Sequence, residues 1–145
     1  MNRTRVRAAV GWLFTVVAMS AVAAAAQNQI PSIERGVYTQ TQAERGKSSY
    51  ATHCAECHGA DLEGTSFGDG VPPLKRDDFM AGKNLQNVFE KVKRAMPFNA
   101  PGSLPDGLYL DVIAYVLREN GYPAGGQELV PNADLLKGIV IVPRR

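Results

Sequence analysis

Apolar side chains recur at helical spacing in two stretches of the chain. In the first stretch, Asn84 can cap a helix that runs to about Arg94. In the second, the capping signature of residues 103–106, with its early proline, opens a helix that stops at Asn120-Gly121. The apolar positions on one face are Leu85, Val88, Phe89 and Val92 in the first helix, and Leu108, Val112, Tyr115 and Val116 in the second. Both spacings predict helices that bury one side.

A third helix is predicted from its start signal. Residues 41–44, Thr-Gln-Ala-Glu, form a capping box, and the helix that they open runs to about Thr52. Glycine and proline enrich residues 59–82, which predicts a long loop. After Gly121 the tail is predicted to be irregular, with a short apolar run over residues 139–142 that packs against the body. Three helices, long loops and little strand predict an all-α domain.

The first 26 residues have the pattern of a signal peptide. Arg3, Arg5 and Arg7 precede an apolar stretch that ends in three alanines at positions 24–26, just before Gln27. This pattern predicts export by the general secretory route and cleavage after residue 26. An uncleaved membrane anchor is the alternative, since the apolar run is nearly long enough to span a bilayer.

Composition and charge narrow the class of protein. The 145 residues are 45% hydrophobic and 21% charged, which is ordinary for one globular domain and excludes a disordered chain. Three of the 16 basic residues lie in the signal segment. The mature chain therefore has 13 basic and 14 acidic residues and a net charge of −1, which gives no indication of a nucleic-acid or anionic-membrane partner.

The main chemical signal is the sequence Cys-Ala-Glu-Cys-His at residues 54–58. C-x-x-C-H is the attachment signature of c-type haem. Cysteines three apart lie on one helical turn, so the thiols of Cys54 and Cys57 can both reach the vinyl groups of one porphyrin edge. His58 is then placed to bind the iron. Export agrees with this interpretation, because haem c is attached outside the cytoplasm.

Other uses of the two cysteines fit the sequence less well. A structural disulfide would not need His58, and a thioredoxin-like redox pair would follow a strand that the pattern does not predict. A zinc site would need further ligands, whereas His53 and His58 are the two histidines of the chain.

The opposite face of the iron needs a different ligand. His53 adjoins Cys54 on the same side of the haem as His58, so it is expected to be a solvated side chain. Met96 precedes Pro97, which disfavours a helical conformation at Met96 and predicts a stiff, extended loop. Such a loop can hold a thioether against iron, so Met96 is the expected sixth ligand. Met80 is expected to fill a gap in the core. Met80 as ligand, a different ligand or an open site remain as alternatives.

These residues give the chain a resemblance to class I cytochromes c, in particular to those found beside or fused to periplasmic quinoprotein dehydrogenases. It covers residues 36–129, and its most specific parts are the haem motif and Met96-Pro97. The supporting positions are Ala43, Arg45-Gly46, Tyr50, Pro72-Pro73-Leu74, Phe79, Pro101-Gly102-Ser103-Leu104, Asp111 to Tyr115, and Asn120-Gly121. It implies the class I fold, with three main helices and long loops around one covalently bound haem.

The resemblance also implies contacts within that fold. The first and last main helices would cross where Gly46 and Tyr50 meet Tyr115, and a carbonyl near Pro72 would accept the proton of His58 Nδ1. Many relatives carry a tryptophan shortly after the position of Phe79. In this chain residues 80–83 are Met-Ala-Gly-Lys and the mature part has no tryptophan, so contacts to the haem propionates are expected to differ.

The function that follows from the resemblance is electron transfer rather than catalysis. One haem c, attached through Cys54 and Cys57 and ligated by His58 and Met96, would carry single electrons in the bacterial periplasm. The partners would be a redox donor and acceptor, with a periplasmic quinoprotein dehydrogenase as a candidate. Two alternatives are a haem subunit of a larger dehydrogenase complex and a ligand-binding or sensor haem protein with a labile sixth ligand.

The sequence predicts four segments. Residues 1–26 are the cleaved signal peptide, and residues 27–40 are an N-terminal extension. Residues 41–123 form the cytochrome c domain, and residues 124–145 form a C-terminal tail that packs on it. No membrane span is expected after cleavage of the signal peptide.

Overall fold

A computed structural model describes residues 32–66 and 70–143 of the chain. The predicted signal peptide lies outside the described residues. Within these two ranges, five helices follow a 3₁₀ turn at Ile33–Arg35. They are α1 (Gln40–His53), α2 (Ala55–His58), α3 (Leu85–Ala95), α4 (Asp106–Glu119) and α5 (Ala133–Gly138). Pairing between extended segments is limited, within the described ranges, to the isolated bridges Thr65–Val71 and Asn84–Val140. The all-α prediction is confirmed.

The closest packing in the fold is the crossing of α1 and α4. A Cβ atom at position 46 would overlap the carbonyl oxygen of Asp111 and would lie 3.0 Å from the Cβ of Tyr115, so only glycine permits this approach. One turn further along α1, the rings of Tyr50 and Tyr115 pack with centroids 5.2 Å apart and an angle of 53° between planes. The crossing expected from the resemblance is confirmed.

An ion-pair network lies beside this crossing. The guanidinium of Arg45 on α1 contacts Asp111 on α4 at 3.0 Å and Glu128 in the tail at 2.9 Å. These hydrogen bonds raise the pKa of Arg45 and lower that of Glu128. Because the side chains of Arg45 and Glu128 are 45% and 42% exposed, water and salt screen their pair, and the network contributes more to the placement of the tail than to stability.

The start of α1 differs from the prediction. Its cap is Thr39, whose hydroxyl accepts a hydrogen bond from the Gln42 amide at 3.1 Å, whereas Thr41 is an exposed residue of the first turn. Residues 39–42, Thr-x-x-Gln, fit the capping pattern as well as residues 41–44 do. The earlier start places Gln42 in the core, where it is 1% exposed and exchanges hydrogen bonds of 2.9 and 2.8 Å with the backbone of Leu129.

The predicted start of α4 is also wrong by two residues. Pro105 occupies the N-cap position and Ser103 makes no capping bond, because the chain from Met96 to Ser103 is already folded into its own turns. The other predicted limits are confirmed. The Asn84 side chain caps α3 through the Asn87 amide at 2.9 Å, and α4 stops at Asn120, before Gly121 in the left-handed region.

The tail is more regular than its sequence predicts. It contains α5, which is capped by the Asn132 side chain at 3.1 Å from the amides of Asp134 and Leu135. After α5, the chain pairs with residues 82–85, at the start of α3. The Leu85 amide donates to the Ile139 carbonyl, the Gly82 amide donates to the Ile141 carbonyl, and the Ile141 amide donates to the Lys83 carbonyl, each at 2.9 Å. Ile139 and Ile141 are buried, as expected of the apolar run.

In the part of the chain that the structure describes, the buried side chains form two clusters. The larger one joins α1, α3, α4 and the tail. The smaller one lies between the C-terminal part of α1, the loop after α2 and α4, and it consists of Tyr50, Leu62, Phe79, Val112, Tyr115 and Val116. Met80 is partly buried and packs against both clusters, as expected of a gap-filling methionine. None of the described helices has the length and apolar character needed to cross a membrane.

The crossing gives a first testable prediction. Replacing Gly46 with alanine should destabilise the protein by about 1–3 kcal/mol or more, because the added methyl group overlaps the Asp111 backbone. Gly107→Ala is the matched control: it lies in α4, and its Cβ would meet nothing within 4 Å. It should stabilise the protein by about 0.5–1 kcal/mol. Guanidinium unfolding of both variants measures the difference, and equal stabilities would contradict the close crossing.

Candidate haem site

The cysteines lie at a junction between two helices. The Cys54 amide closes the last turn of α1 by donating to the Tyr50 carbonyl at 2.9 Å, and Cys54 then starts α2 by accepting from the amides of Cys57 and His58 at 3.2 and 3.0 Å. Gly59, in the left-handed region, ends this turn. Both thiols are half-buried and are not joined in a disulfide. Cys54, Cys57 and His58 therefore share a single helical turn.

The thiol of Cys54 lies against the smaller cluster. Burial is the main cause that raises its pKa to about 11, and the neighbouring Cys57 adds to the effect. The thiol is therefore protonated in the protein chain without haem at neutral pH. The other histidine, His53, is exposed at the end of α1, as expected of a solvated side chain.

His58 has the environment of a metal-binding imidazole. Burial lowers its pKa, and an interaction with the Pro72 carbonyl, the smaller effect, raises it. The resulting neutral ring is the form that binds a metal. Its Nδ1 is buried and makes no hydrogen bond of ordinary geometry in the described structure, so the Pro72 carbonyl faces it without a fully formed bond.

The loop that carries Pro72 is held from two sides. The amides of Leu74 and Lys75 donate to the Leu62 carbonyl at 2.7 and 3.2 Å. From the other side, the Asn120 side chain donates to the Leu74 carbonyl at 2.8 Å and accepts from the Arg76 amide at 2.9 Å. The sequence indicates Asn120 as a helix stop. Its role in holding a loop more than 40 residues away has no local signal.

Further hydrogen bonds fix the turn of residues 54–58, which we call the haem turn. The Tyr50 hydroxyl donates to the Gly59 carbonyl at 2.7 Å, and the Thr65 hydroxyl donates to the Cys57 carbonyl at 2.6 Å. The Gly64 amide donates to the His58 carbonyl at 2.9 Å. The backbone on either side of His58 is thus tied to α1 and to the following loop.

Met96 lies on a separate element, directly after α3. Its backbone is extended, with φ −128° and ψ 155°, as expected before proline, and its side chain is half-buried. Its amide donates to the Val92 carbonyl at 2.8 Å. Its carbonyl accepts from the Gly102 amide at 3.3 Å and from the Tyr109 hydroxyl at 2.8 Å. The sequence gives no signal for this role of Tyr109, because its position in α4 has the spacing of an ordinary core residue.

Together these side chains fit haem c. Two thiols on one turn can form thioethers with the two vinyl groups, and a neutral, half-buried imidazole next to them can bind iron. The smaller cluster, against which Cys54 packs, provides buried apolar side chains such as Phe79 and Val112 next to the attachment point. An all-α fold with this turn defines a class I c-type cytochrome, which binds haem c covalently.

Comparison with known proteins gives the family. Residues 41–116 match the family described as cytochrome c oxidase, cbb3-type, subunit III. The chain belongs to this family.

Several curated relatives match parts of the chain. Thiosulfate dehydrogenase of Stutzerimonas stutzeri is 37% identical over 78 residues, which are 50% of this chain and 25% of that protein. Thiosulfate dehydrogenase of Allochromatium vinosum is 34% identical over 113 residues, 73% of this chain and 40% of that protein. The cbb3-type cytochrome c oxidase subunit CcoP of Rhodobacter capsulatus is 31% identical over 94 residues, which are 54% of this chain and 31% of that protein. The matches thus span between a quarter and two-fifths of these relatives.

A solved structure shares the fold. The crystal structure of the sulfane dehydrogenase SoxCD from Paracoccus pantotrophus aligns with a TM-score of 0.50 and 23% sequence identity. The alignment covers 74% of this chain and 61% of that one.

Covalent attachment gives the second prediction. Protein produced in cells that mature c-type cytochromes should keep its haem after denaturation and acid–acetone extraction, because thioether bonds survive unfolding. Cys57→Ala should sharply reduce the yield of haem protein, whereas His53→Ala, a change at the neighbouring exposed histidine, should not. Haem staining of denaturing gels measures both. Recovery of colourless wild-type protein with a Cys54–Cys57 disulfide would contradict the assignment.

Proposed function

We propose that the protein carries single electrons between redox proteins in the periplasm, and that His58 and Met96 would hold the iron of one haem c. The observation that carries this proposal is that the turn of residues 54–58 holds a neutral, half-buried histidine and that a separate, anchored and extended segment holds a methionine. The haem supplies a one-electron iron couple, and histidine/methionine ligation raises its potential. The signal-peptide pattern of residues 1–26 supports the periplasmic location.

The chain's own residues have four tasks in this proposal. Cys54 and Cys57 fix the position of the porphyrin edge, and His58 binds the iron through a ring nitrogen. Met96 completes the coordination from the loop after α3 and leaves no open position for a substrate. The apolar side chains of the smaller cluster exclude water, which limits the reorganisation that accompanies each change of charge. A protein with these tasks is a carrier and not a catalyst.

The third prediction separates Met96 from Met80. Ferric wild-type protein should show the weak far-red sulfur-to-iron charge-transfer band, and Met96→Ala should abolish it and let the reduced protein bind carbon monoxide readily. Met80→Ala, the matched control, should keep both properties and lose about 2 kcal/mol of stability, since Met80 is a partly buried side chain. Rapid carbon monoxide binding by the wild-type protein would instead favour the ligand-binding alternative.

The charge pattern supports a docking face near Met96. Residues 75–94 carry six basic and three acidic side chains, whereas residues 54–70 carry four acidic side chains and no lysine or arginine. In the structure Lys93 is engaged, since its Nζ pairs with Asp106 at 2.6 Å. Lys91 and Arg94 are exposed and form no ion pair with any other residue that the structure describes. Phe98, two residues after Met96, is 82% exposed and adds an apolar contact point.

A basic face with one exposed aromatic ring fits an acidic redox partner. Transient redox interfaces are small, and charge steers their encounter. We therefore propose that Lys91, Arg94 and Phe98 meet the partner.

The fourth prediction tests this face. The double variant Lys91→Glu/Arg94→Glu should slow electron transfer to the isolated partner about tenfold or more at low ionic strength, and little at high salt, where screening shortens the reach of the charges. Lys47→Glu/Lys137→Glu makes the same change in net charge on α1 and α5 and should have a much smaller effect. Stopped-flow mixing over a salt series measures the rates. Equal rates for the two double variants at low salt would contradict docking through the face of Lys91, Arg94 and Phe98.

A second candidate function is that of a haem subunit within a larger dehydrogenase. It is favoured by the curated relatives, two of which are named thiosulfate dehydrogenase and are much longer than the matched region. Under this proposal the donor is a periplasmic dehydrogenase, and the names of the relatives favour one that oxidises a sulfur compound over the quinoprotein enzyme expected from the sequence. Affinity purification from the native periplasm distinguishes the two functions. A free carrier should elute alone at high salt, and a subunit should retain its dehydrogenase.

A further inference from the structure

We infer that Tyr109 is a positioning residue for the sixth iron ligand: its hydroxyl holds the Met96 carbonyl and slows the release of the thioether from the iron. The inference rests on the proposed ligation by His58 and Met96. Tyr109 lies in the first turn of α4 and is 2% exposed, with its ring in the larger cluster. From this fixed position its hydroxyl donates to the Met96 carbonyl at 2.8 Å.

The same hydroxyl contacts both ends of the loop of residues 96–104, which we call the Met96 loop. Besides donating to Met96, it lies 3.4 Å from the amide of Leu104, which donates to it. The turns inside the loop are held by Ala100 N–H to the Pro97 carbonyl at 2.9 Å and Ser103 N–H to the Ala100 carbonyl at 3.2 Å. These internal bonds shape the loop but do not attach it to the body. The Met96 amide continues the hydrogen bonding of α3, and, among the described residues, the Tyr109 hydroxyl is the polar group that links the loop to α4.

The other polar contacts that restrain the Met96 loop and its surroundings are weaker. The Gly102 amide also donates to the Met96 carbonyl, but at 3.3 Å and from within the loop itself. The ion pair of Lys93 with Asp106 bridges α3 and α4, but both side chains are about 40% exposed and water screens them. When the Tyr109 hydroxyl is removed, the Met96 carbonyl keeps only the longer bond, and the loop can move away from α4 more easily.

Such movement makes it easier for the thioether to leave the iron. A methionine side chain has three rotatable bonds and is easily displaced when its backbone is free to shift. A backbone carbonyl held by a rigid phenol restricts that shift, so the ligand returns to the iron before a competing ligand enters. Tyr109 therefore keeps the coordination closed without touching the iron.

The test is the isosteric change Tyr109→Phe in haem-loaded protein. Ferric protein is mixed with saturating imidazole, at which ligand exchange is limited by departure of the methionine. Loss of one net hydrogen bond should accelerate exchange roughly three- to tenfold and weaken the far-red charge-transfer band. Tyr122→Phe is the matched control, because Tyr122 is also buried and its hydroxyl also donates to a backbone carbonyl, that of Val142 at 2.7 Å.

The two variants should lose similar global stability in guanidinium unfolding, but only Tyr109→Phe should accelerate exchange. Equal exchange rates in both variants, or a rate for Tyr109→Phe that matches the wild-type protein, would overturn the positioning role. A wild-type protein without the far-red band would overturn the proposed ligation itself and the role of Tyr109 with it. A wild-type band together with an unchanged Tyr109→Phe rate overturns the positioning role alone.

Discussion

The close crossing of α1 and α4 at Gly46 is the constraint on which the candidate site depends. Because no side chain separates the two backbones there, Tyr50 can pack on Tyr115, and its hydroxyl can hold the Gly59 carbonyl beside His58. The haem turn continues directly from α1, so the crossing sets its position relative to α4. A larger residue at position 46 would move the cysteines and the histidine together.

Helix α4 reaches the other parts of the site from its two ends. Its first turn carries Tyr109, which holds Met96, and its C-cap Asn120 holds the loop that brings the Pro72 carbonyl towards His58. One helix thus holds both the loop that contains Met96 and the loop that contains Pro72. This arrangement explains how a small domain with long loops can hold His58 and the proposed ligand Met96 in place.

Local signals in the sequence predicted the elements with strong patterns and missed those held by distant contacts. The haem motif, α3, the body of α4 and the extended backbone of Met96 follow from spacing, capping and the rule for residues before proline. The predicted N-cap positions of α1 and α4 were wrong by two residues, because neighbouring threonine, serine and proline residues offer competing start signals. Helix α5 has only six residues, too few for a periodic pattern. Tyr109 and Asn120 act through backbone groups of other segments, which no local pattern encodes.

The central claim is that the iron has one nitrogen ligand from His58 and one sulfur ligand from Met96 in both oxidation states. X-ray absorption at the iron K edge of the purified haem protein tests it most directly, because sulfur and lighter scatterers are distinguishable in the first shell. The account predicts one sulfur and five nitrogen neighbours in the ferric and in the ferrous protein. A first shell without sulfur in either state, or with five neighbours in one of them, would contradict it.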